Sequence, residues 1–162
     1  MATASHNLSE HDPASVPSGA GLRFGLVVSE WNREITDALR KGAIGTLIQY
    51  GVRPEDILEV WVPGSFELPL GAQFLLERQR LDGVICLGSI IRGETPHFEY
   101  VCQGTTKGIM DVSLKFSLPV IFGVLTDDNM EQAVARSGGK HGNKGIDCAI
   151  ALLKMASIRS DR

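Results

Sequence analysis

Residues 83–116 read GVICLGSIIRGETPHFEYVCQGTTKGIMDVSLKF, and the order of side chains in this stretch decides the fold. It opens on Gly83 to Leu87, a short and almost wholly apolar run, as suits a strand buried on both faces of a parallel sheet. A turn follows, Gly88-Ser89-Ile90-Ile91-Arg92-Gly93-Glu94-Thr95-Pro96-His97. Phe98, Val101, Cys102, Thr105, Ile109, Val112 and Phe116 then recur at three- and four-residue steps, the period of a helix with one buried face.

The same theme repeats along the chain. Arg23 to Ser29, Ile57 to Val62 and Pro119 to Leu125 are further strand candidates. Ile35, Leu39, Ala43 and Leu47 stripe a helix ended by Gly51, and Leu68, Ala72 and Leu75 or Leu76 stripe the next. A short helix is expected from Asp128, with Glu131 reaching back to complete a capping box, and Ile146 to Ile158 forms the last. Right-handed crossovers between such units give an α/β fold: a three-layer α/β/α sandwich around a central, mainly parallel four-stranded sheet, flavodoxin-like in arrangement.

A length of 162 residues with 43% hydrophobic side chains suits one such domain, here 22–162. Met1 to Gly21 shows no apolar period and is expected to be a flexible N-terminal arm, with His6 and His11 facing solvent. Sixteen Lys and Arg against 19 Asp and Glu leave no basic excess for nucleic acid or an anionic membrane, so small molecules are the expected partners. No apolar run approaches the roughly 18 residues of a membrane span. Cys86, Cys102 and Cys148 are odd in number and set among apolar neighbours, as buried reduced thiols are; a cytoplasmic location follows.

Ligands in open α/β sheets bind beyond the carboxyl ends of the strands, which directs attention to the turns there. After the first strand, Trp31 is either a platform for a flat heterocycle or a packing residue against another element or subunit. After the second, Ser65 is a candidate helix cap and Pro69 fits a helical first turn, while free amides beside Glu67 suit a polyhydroxylated ligand; cap and turn alone leave Phe66 unexplained. After the third, glycines permit close backbone approach, helix-start amides suit an anion such as phosphate, and His97 offers an imidazole that both takes and gives protons near neutrality. Beyond the fourth strand, Arg136 can grip phosphate through paired hydrogen bonds, or simply complement a helix C-terminus.

Other chemistries lack their residues. Gly19-Ala20-Gly21 precedes a strand, whereas a dinucleotide fingerprint follows one, and Gly139-Lys140 is followed by His141 instead of a magnesium-binding hydroxyl. Gly64-Ser65 and Gly88-Ser89 lack the second half of a nucleophile elbow, and no His or Cys pair has metal-ligand spacing. A signalling receiver would need acidic residues after the third strand, which ends Leu87-Gly88-Ser89. Neither a metal nor a cofactor is expected.

In order and spacing, Val62-Pro63-Gly64-Ser65-Phe66-Glu67-Leu68-Pro69, Gly88 to Thr95, His97 and Gly142-Asn143-Lys144-Gly145 resemble the lumazine synthase family, with similarity from Arg23 to Ile158. The resemblance implies a cofactor-free transferase of riboflavin biosynthesis. Its reaction condenses 5-amino-6-(D-ribitylamino)uracil with 3,4-dihydroxy-2-butanone 4-phosphate to 6,7-dimethyl-8-ribityllumazine, phosphate and water. By the same resemblance Trp31 stacks on the pyrimidine, Ser89, Ile90 and Ile91 meet its edge, and Ser65, Phe66 and Glu67 hold the ribityl chain. Glu94 and Thr95 amides and Arg136 take the phosphate, Lys144 assists nearby, and His97 moves protons, with Phe122 and Arg136 coming from the neighbouring subunit of a homo-oligomer. The compact Gly138 to Gly145 connection resembles that of members whose pentamers build icosahedral shells, for which riboflavin synthase is an implied partner. Trp31 in place of the usual Phe, Pro96 after Thr95 and His141 where Ala is frequent depart from the pattern without removing a required group. A flavin- or lumazine-binding shell protein without turnover is the alternative.

Overall fold

The computed structural model describes residues 7–160. In chain order the main elements are β1 (Phe24–Ser29), α1 (Arg33–Gln49), β2 (Ile57–Val62), α2 (Leu68–Arg78), β3 (Gly83–Ile91), α3 (His97–Phe116), β4 (Val120–Asp127), α4 (Met130–Arg136), β5 (Ser137–Gly139), β6 (Gly142–Asn143) and α5 (Lys144–Ser160). The first four strands form one parallel sheet in the order β2-β1-β3-β4, between helical layers, as the alternation of patterns predicts. Among the described residues no helix is long and apolar enough to cross a membrane.

Alternation along each strand divides the core in two. Leu26 and Val28 of β1 join Ile85, Leu87 and Leu125 in a cluster with Leu39 and Leu47 of α1 and Leu152 and Leu153 of α5. Val27 points the other way, with Val84, Cys86 and Val124, against Leu68, Ala72 and Leu75 of α2 and Ile109 and Val112 of α3. Cys86, Cys102 and Cys148 are free thiols; burial pushes Cys148 up to about 12 and Cys86 further still, while Cys102 is half-buried. β2, expected to be buried on both faces, is an edge strand and mostly half-buried, with its outward Glu59 paired to Arg40 at 3.4 Å.

Three expectations change. β3 runs on to Ile91, because Gly88, Ser89, Ile90 and Ile91 continue to pair with Val124 to Asp127 of β4. The cap of α4 falls one residue later than expected: Asn129 accepts from the Gln132 amide at 3.0 Å, and the Gln132 side chain accepts from the Asp128 amide at 3.0 Å. Residues 7–21, read as a free arm, pack on the domain: Val16 enters the core, the Leu8 amide donates to the His141 carbonyl at 2.8 Å, and the Gly19 amide donates to the Tyr50 carbonyl at 2.7 Å. His11 is not a free surface group, since its Nε2 meets the Tyr50 hydroxyl at 2.8 Å. His6 lies outside the described residues.

The Gly142-Asn143-Lys144-Gly145 segment owes its composition to the contact between α1 and α5. The Asn143 side-chain amide donates to Ala38 and Ser137 carbonyls at 2.9 and 3.2 Å, and its oxygen accepts from the Gly145 amide at 2.8 Å. A β-carbon on Gly145 would run into the Leu39 carbonyl, a backbone atom that cannot swing aside. Gly145→Ala is therefore expected to cost about 3 kcal/mol. Gly45→Ala, on the exposed side of α1 with no atom within 4 Å of the new carbon, is expected to add about 0.5–1 kcal/mol. Denaturant unfolding of both checks the pair, and a Gly145→Ala midpoint at the wild-type value would contradict the packing argument.

Candidate active site

β1 stands beside both β2 and β3, so the chain leaves it towards one side of the sheet and reaches its other neighbour only after a second crossover. The connections after β1 and β3 diverge at such a point and leave a crevice beyond the strand ends. A cavity of about 610 Å³, of the size that small molecules occupy, lies there.

The turn after β1 is fixed through its backbone. Glu30 and Trp31 amides donate to the carbonyls of Val62 and Pro63, at 2.8 and 3.2 Å, and Thr36 Oγ1 donates to the Ser29 carbonyl at 2.8 Å. Asn32 takes the left-handed conformation, φ 57°, and its side-chain amide donates to the Ser89 carbonyl at 3.0 Å. This leaves Trp31 at 71% exposure on the cavity wall, an indole held by its backbone and uncovered by its own chain.

Ser65 to Glu67 form a 3₁₀ turn that leads into α2, with Pro69 in the first helical turn as expected. Ser65 is not a cap: its hydroxyl caps neither helix, and its carbonyl accepts from Thr105 Oγ1 at 3.1 Å. Phe66, unexplained by the turn, lies over Gly104 of α3, where a β-carbon would come within 2.6 Å of the ring.

β3 pairs with β1 only as far as Val28–Leu87 but with β4 as far as Ile91–Asp127. The β1-facing backbone edge of Ser89 to Ile91 thus projects past the end of β1; Asn32 meets the Ser89 carbonyl, and the remaining donors and acceptors lie where a flat ring edge can bond. The Ser65 and Ser89 hydroxyls are buried at the cavity and have no hydrogen-bond partner among the described residues. A buried hydroxyl without a partner costs about 1–3 kcal/mol, so these two are left to be met by water or by a ligand that reaches the cavity floor.

His97 is the first residue of α3, exposed on the cavity wall with Gly93 and Thr95. Its helical turn is latched by Arg92, which pairs with Glu99, donates to Asp128 Oδ1 at 3.0 Å and sits 4.2 Å above the Phe98 ring. Hydrogen bonding from Arg92 holds the Glu99 carboxyl below its usual range.

Of the residues expected at the site, Trp31, Ser65, Phe66, Glu67, Ser89, Ile90, Ile91, Thr95 and His97 line this one cavity. Glu94 lies between two lining residues without lining it, and Phe122 and Arg136 lie outside it. Phe122 is half-buried on β4, and Arg136 ends α4, with Nη1 3.6 Å from Asp127 Oδ1. Lys144 pairs with Asp147 instead of entering the cavity. Sequence reading passed over Asn32 and Gly104, which act through an unusual backbone angle and a missing side chain, and placed Thr105 only on an apolar stripe; Gly64, Gly93, Phe98, Tyr100 and Val101 complete the lining.

Open parallel sheets with a small-molecule crevice at the strand switch form a broad class of α/β enzymes and binding proteins, and this fold and cavity place the chain within it. The family model described as 6,7-dimethyl-8-ribityllumazine synthase matches residues 21–160. Proteins of that name from Porphyromonas gingivalis and Christiangramia forsetii are 52% and 51% identical to the chain, covering 98% and 99% of it and 98% and 96% of their own lengths. One from Lactiplantibacillus plantarum is 49% identical over 88% of this chain and 89% of its own. The chain belongs to the 6,7-dimethyl-8-ribityllumazine synthase family.

The left-handed turn at Asn32 generates a test. Asn32→Ala loses both the tolerated conformation and the bond to Ser89, an expected cost of about 2 kcal/mol, whereas Asn32→Gly loses only the bond. The glycine variant is expected to unfold at the higher denaturant concentration, and equal midpoints would overturn this account of the turn.

Proposed function

We propose that the chain is a riboflavin-biosynthesis enzyme that joins 5-amino-6-(D-ribitylamino)uracil to 3,4-dihydroxy-2-butanone 4-phosphate, giving 6,7-dimethyl-8-ribityllumazine, phosphate and water. One observation carries the reading beyond family membership: an uncovered indole, a projecting backbone edge, two unmet hydroxyls and an imidazole share a single cavity. The indole suits the pyrimidine face, the backbone of Ser89 to Ile91 its edge, and Ser65 with Phe66 and Glu67 the ribityl chain. The amides of Glu94 and Thr95 face the phosphate, and Arg136 and Phe122 act on a neighbouring copy's cavity. That division accounts for their position outside this one.

The amine attacks the ketone and loses water to form an imine, a neighbouring C–H proton and the phosphate are then eliminated, and the ribitylamino nitrogen closes the second ring with loss of a second water. Each step moves protons, and His97 is the group we assign to them. Holding two reactants in register supplies up to about 7–11 kcal/mol, whereas a positioned acid and base adds about 10² to 10⁴ in rate. His97→Ala is therefore expected to slow turnover by about 10²-fold or more without abolishing it. Mixing the chain with both substrates and following lumazine fluorescence and free phosphate tests both points. Ligand binding by the wild type without turnover would favour a flavin- or lumazine-carrying shell protein, and a folded, assembled His97→Ala variant with no activity would refute the division of labour.

The assembly we favour is cytoplasmic pentamers built into an icosahedral shell. Exposed Tyr100, Met110 and Leu114 on α3 and Leu70 and Phe74 on α2 support burial against other copies, and the tight β5–β6 hairpin supports the shell. Light scattering is expected to give a shell-sized particle. A pentamer-sized species alone, across pH and salt, would remove the shell, and a monomer would remove both.

A further inference from the structure

Asp127 is the last residue of β4, and polar residues that follow it have structural tasks. Asn129 and Gln132 cap α4, and Asp128 takes part in the Arg92 latch. The Asp127 carbonyl accepts from the Arg92 amide at 2.9 Å, which fixes its backbone at the rim of the sheet. Its side chain, only 5% exposed, has Oδ1 3.6 Å from Arg136 Nη1, and its Oδ2 is buried with no hydrogen-bond partner among the described residues. Burial lifts this carboxyl above the usual range; Arg136 opposes the shift and Asp128 adds to it. A carboxylate kept where it is under-bonded serves the fold poorly, and such groups concentrate at functional sites.

Arg136 shows what the carboxylate does. Its Nη1 also donates to the Gln132 carbonyl at 3.0 Å, so among the described residues both contacts of the guanidinium run through that one nitrogen. The opposite edge, Nη2 and Nε, keeps the geometry that matches two oxygens of a phosphate. We propose that Asp127 is a positioning residue, whose buried carboxylate holds the inner corner of the Arg136 guanidinium and so presents its outer fork to the phosphate of the butanone substrate. This rests on the reading that Arg136 binds that phosphate. A negative charge near a phosphate is unfavourable in itself, so the arrangement gains only if orienting the fork outweighs the repulsion.

The test uses the assembled enzyme and its two substrates. Asp127→Asn keeps the shape and removes the charge. It is expected to raise KM for the butanone phosphate about tenfold while KM for the aminouracil moves little. Its melting temperature is expected to match or exceed the wild type's, since an under-bonded buried charge is gone. A merely structural role would lower the melting temperature and shift both KM values together. Arg136→Ala and the double variant complete a cycle, in which Asp127→Asn is expected to add nothing once the guanidinium is absent. Asp127→Ser carries the same comparison if the Asn variant assembles poorly. An unchanged butanone-phosphate KM in Arg136→Ala would overturn the assignment of Arg136 and the proposal with it. A raised KM there with a wild-type value in both Asp127 variants would overturn the proposal alone.

Discussion

All four strands of the main sheet point the same way, and after each one the chain must cross back over a face of the sheet before the next can begin. That constraint sends every post-strand turn to one rim and every helix to a face. It also forces the divergence beside β1, because β2 and β3 flank it on opposite sides. The cavity is a consequence of strand order before any particular side chain is considered. The side chains then decide what the crevice can hold, and the longest strand contributes most: β3 outruns β1 by the residues whose backbone forms the cavity edge.

The helical layers must close tightly for the rim to be rigid, and here absent atoms matter as much as present ones. Gly145 lets α5 meet the backbone of α1, and Asn143 fills the corner with hydrogen bonds to three separate segments. The Gly-Asn-Lys-Gly run, one of the segments that carry the family resemblance, packs α5 against α1 in this chain. Phe66 reaches the cavity by a similar device, its ring resting on α3 where Gly104 has no side chain. One close approach seats a helix on a helix and the other a rim turn on a helix, so the site inherits its geometry from the packing of the helical layers.

The strands, the helices and most of the site were legible because their signals are chemical types at fixed spacing. Continuous apolar runs marked β1, β3 and β4, and a His at a helix start or a Trp in a turn stands out by its cost elsewhere. What escaped reading depends on geometry instead of type. Gly88-Ser89 resembles a turn until β4 is seen to pair with it, and Asp128 and Asn129 are equally able caps until one finds its partner at Gln132. The segment 7–21 has one buried apolar anchor, Val16, and is otherwise tied down by hydrogen bonds of the Leu8 and Gly19 backbone and of the Ser9, His11 and Ser15 side chains, whose partners composition does not reveal. Phe122 and Arg136 lie outside the cavity of their own chain, a placement that spacing along the sequence does not reveal.

The wall of the cavity offers few groups that can exchange a proton: Glu67, His97 and Tyr100. A carboxylate is a weak base near neutrality and a phenol a weak acid, which leaves the imidazole as the group able to act both ways. Yet Trp31, His97 and Tyr100 are all open to water on one chain, and water both competes for the ligand's hydrogen bonds and weakens every charge interaction there. Proton transfer between bound reactants works best in a site that excludes water, so an arrangement with so exposed a cavity wall gains most from a second protein surface laid across it. An aromatic ring would cover the indole side and a guanidinium would supply the missing positive charge, and Phe122 on β4 and Arg136 at the end of α4, both outside their own chain's cavity, are the groups we propose for those roles.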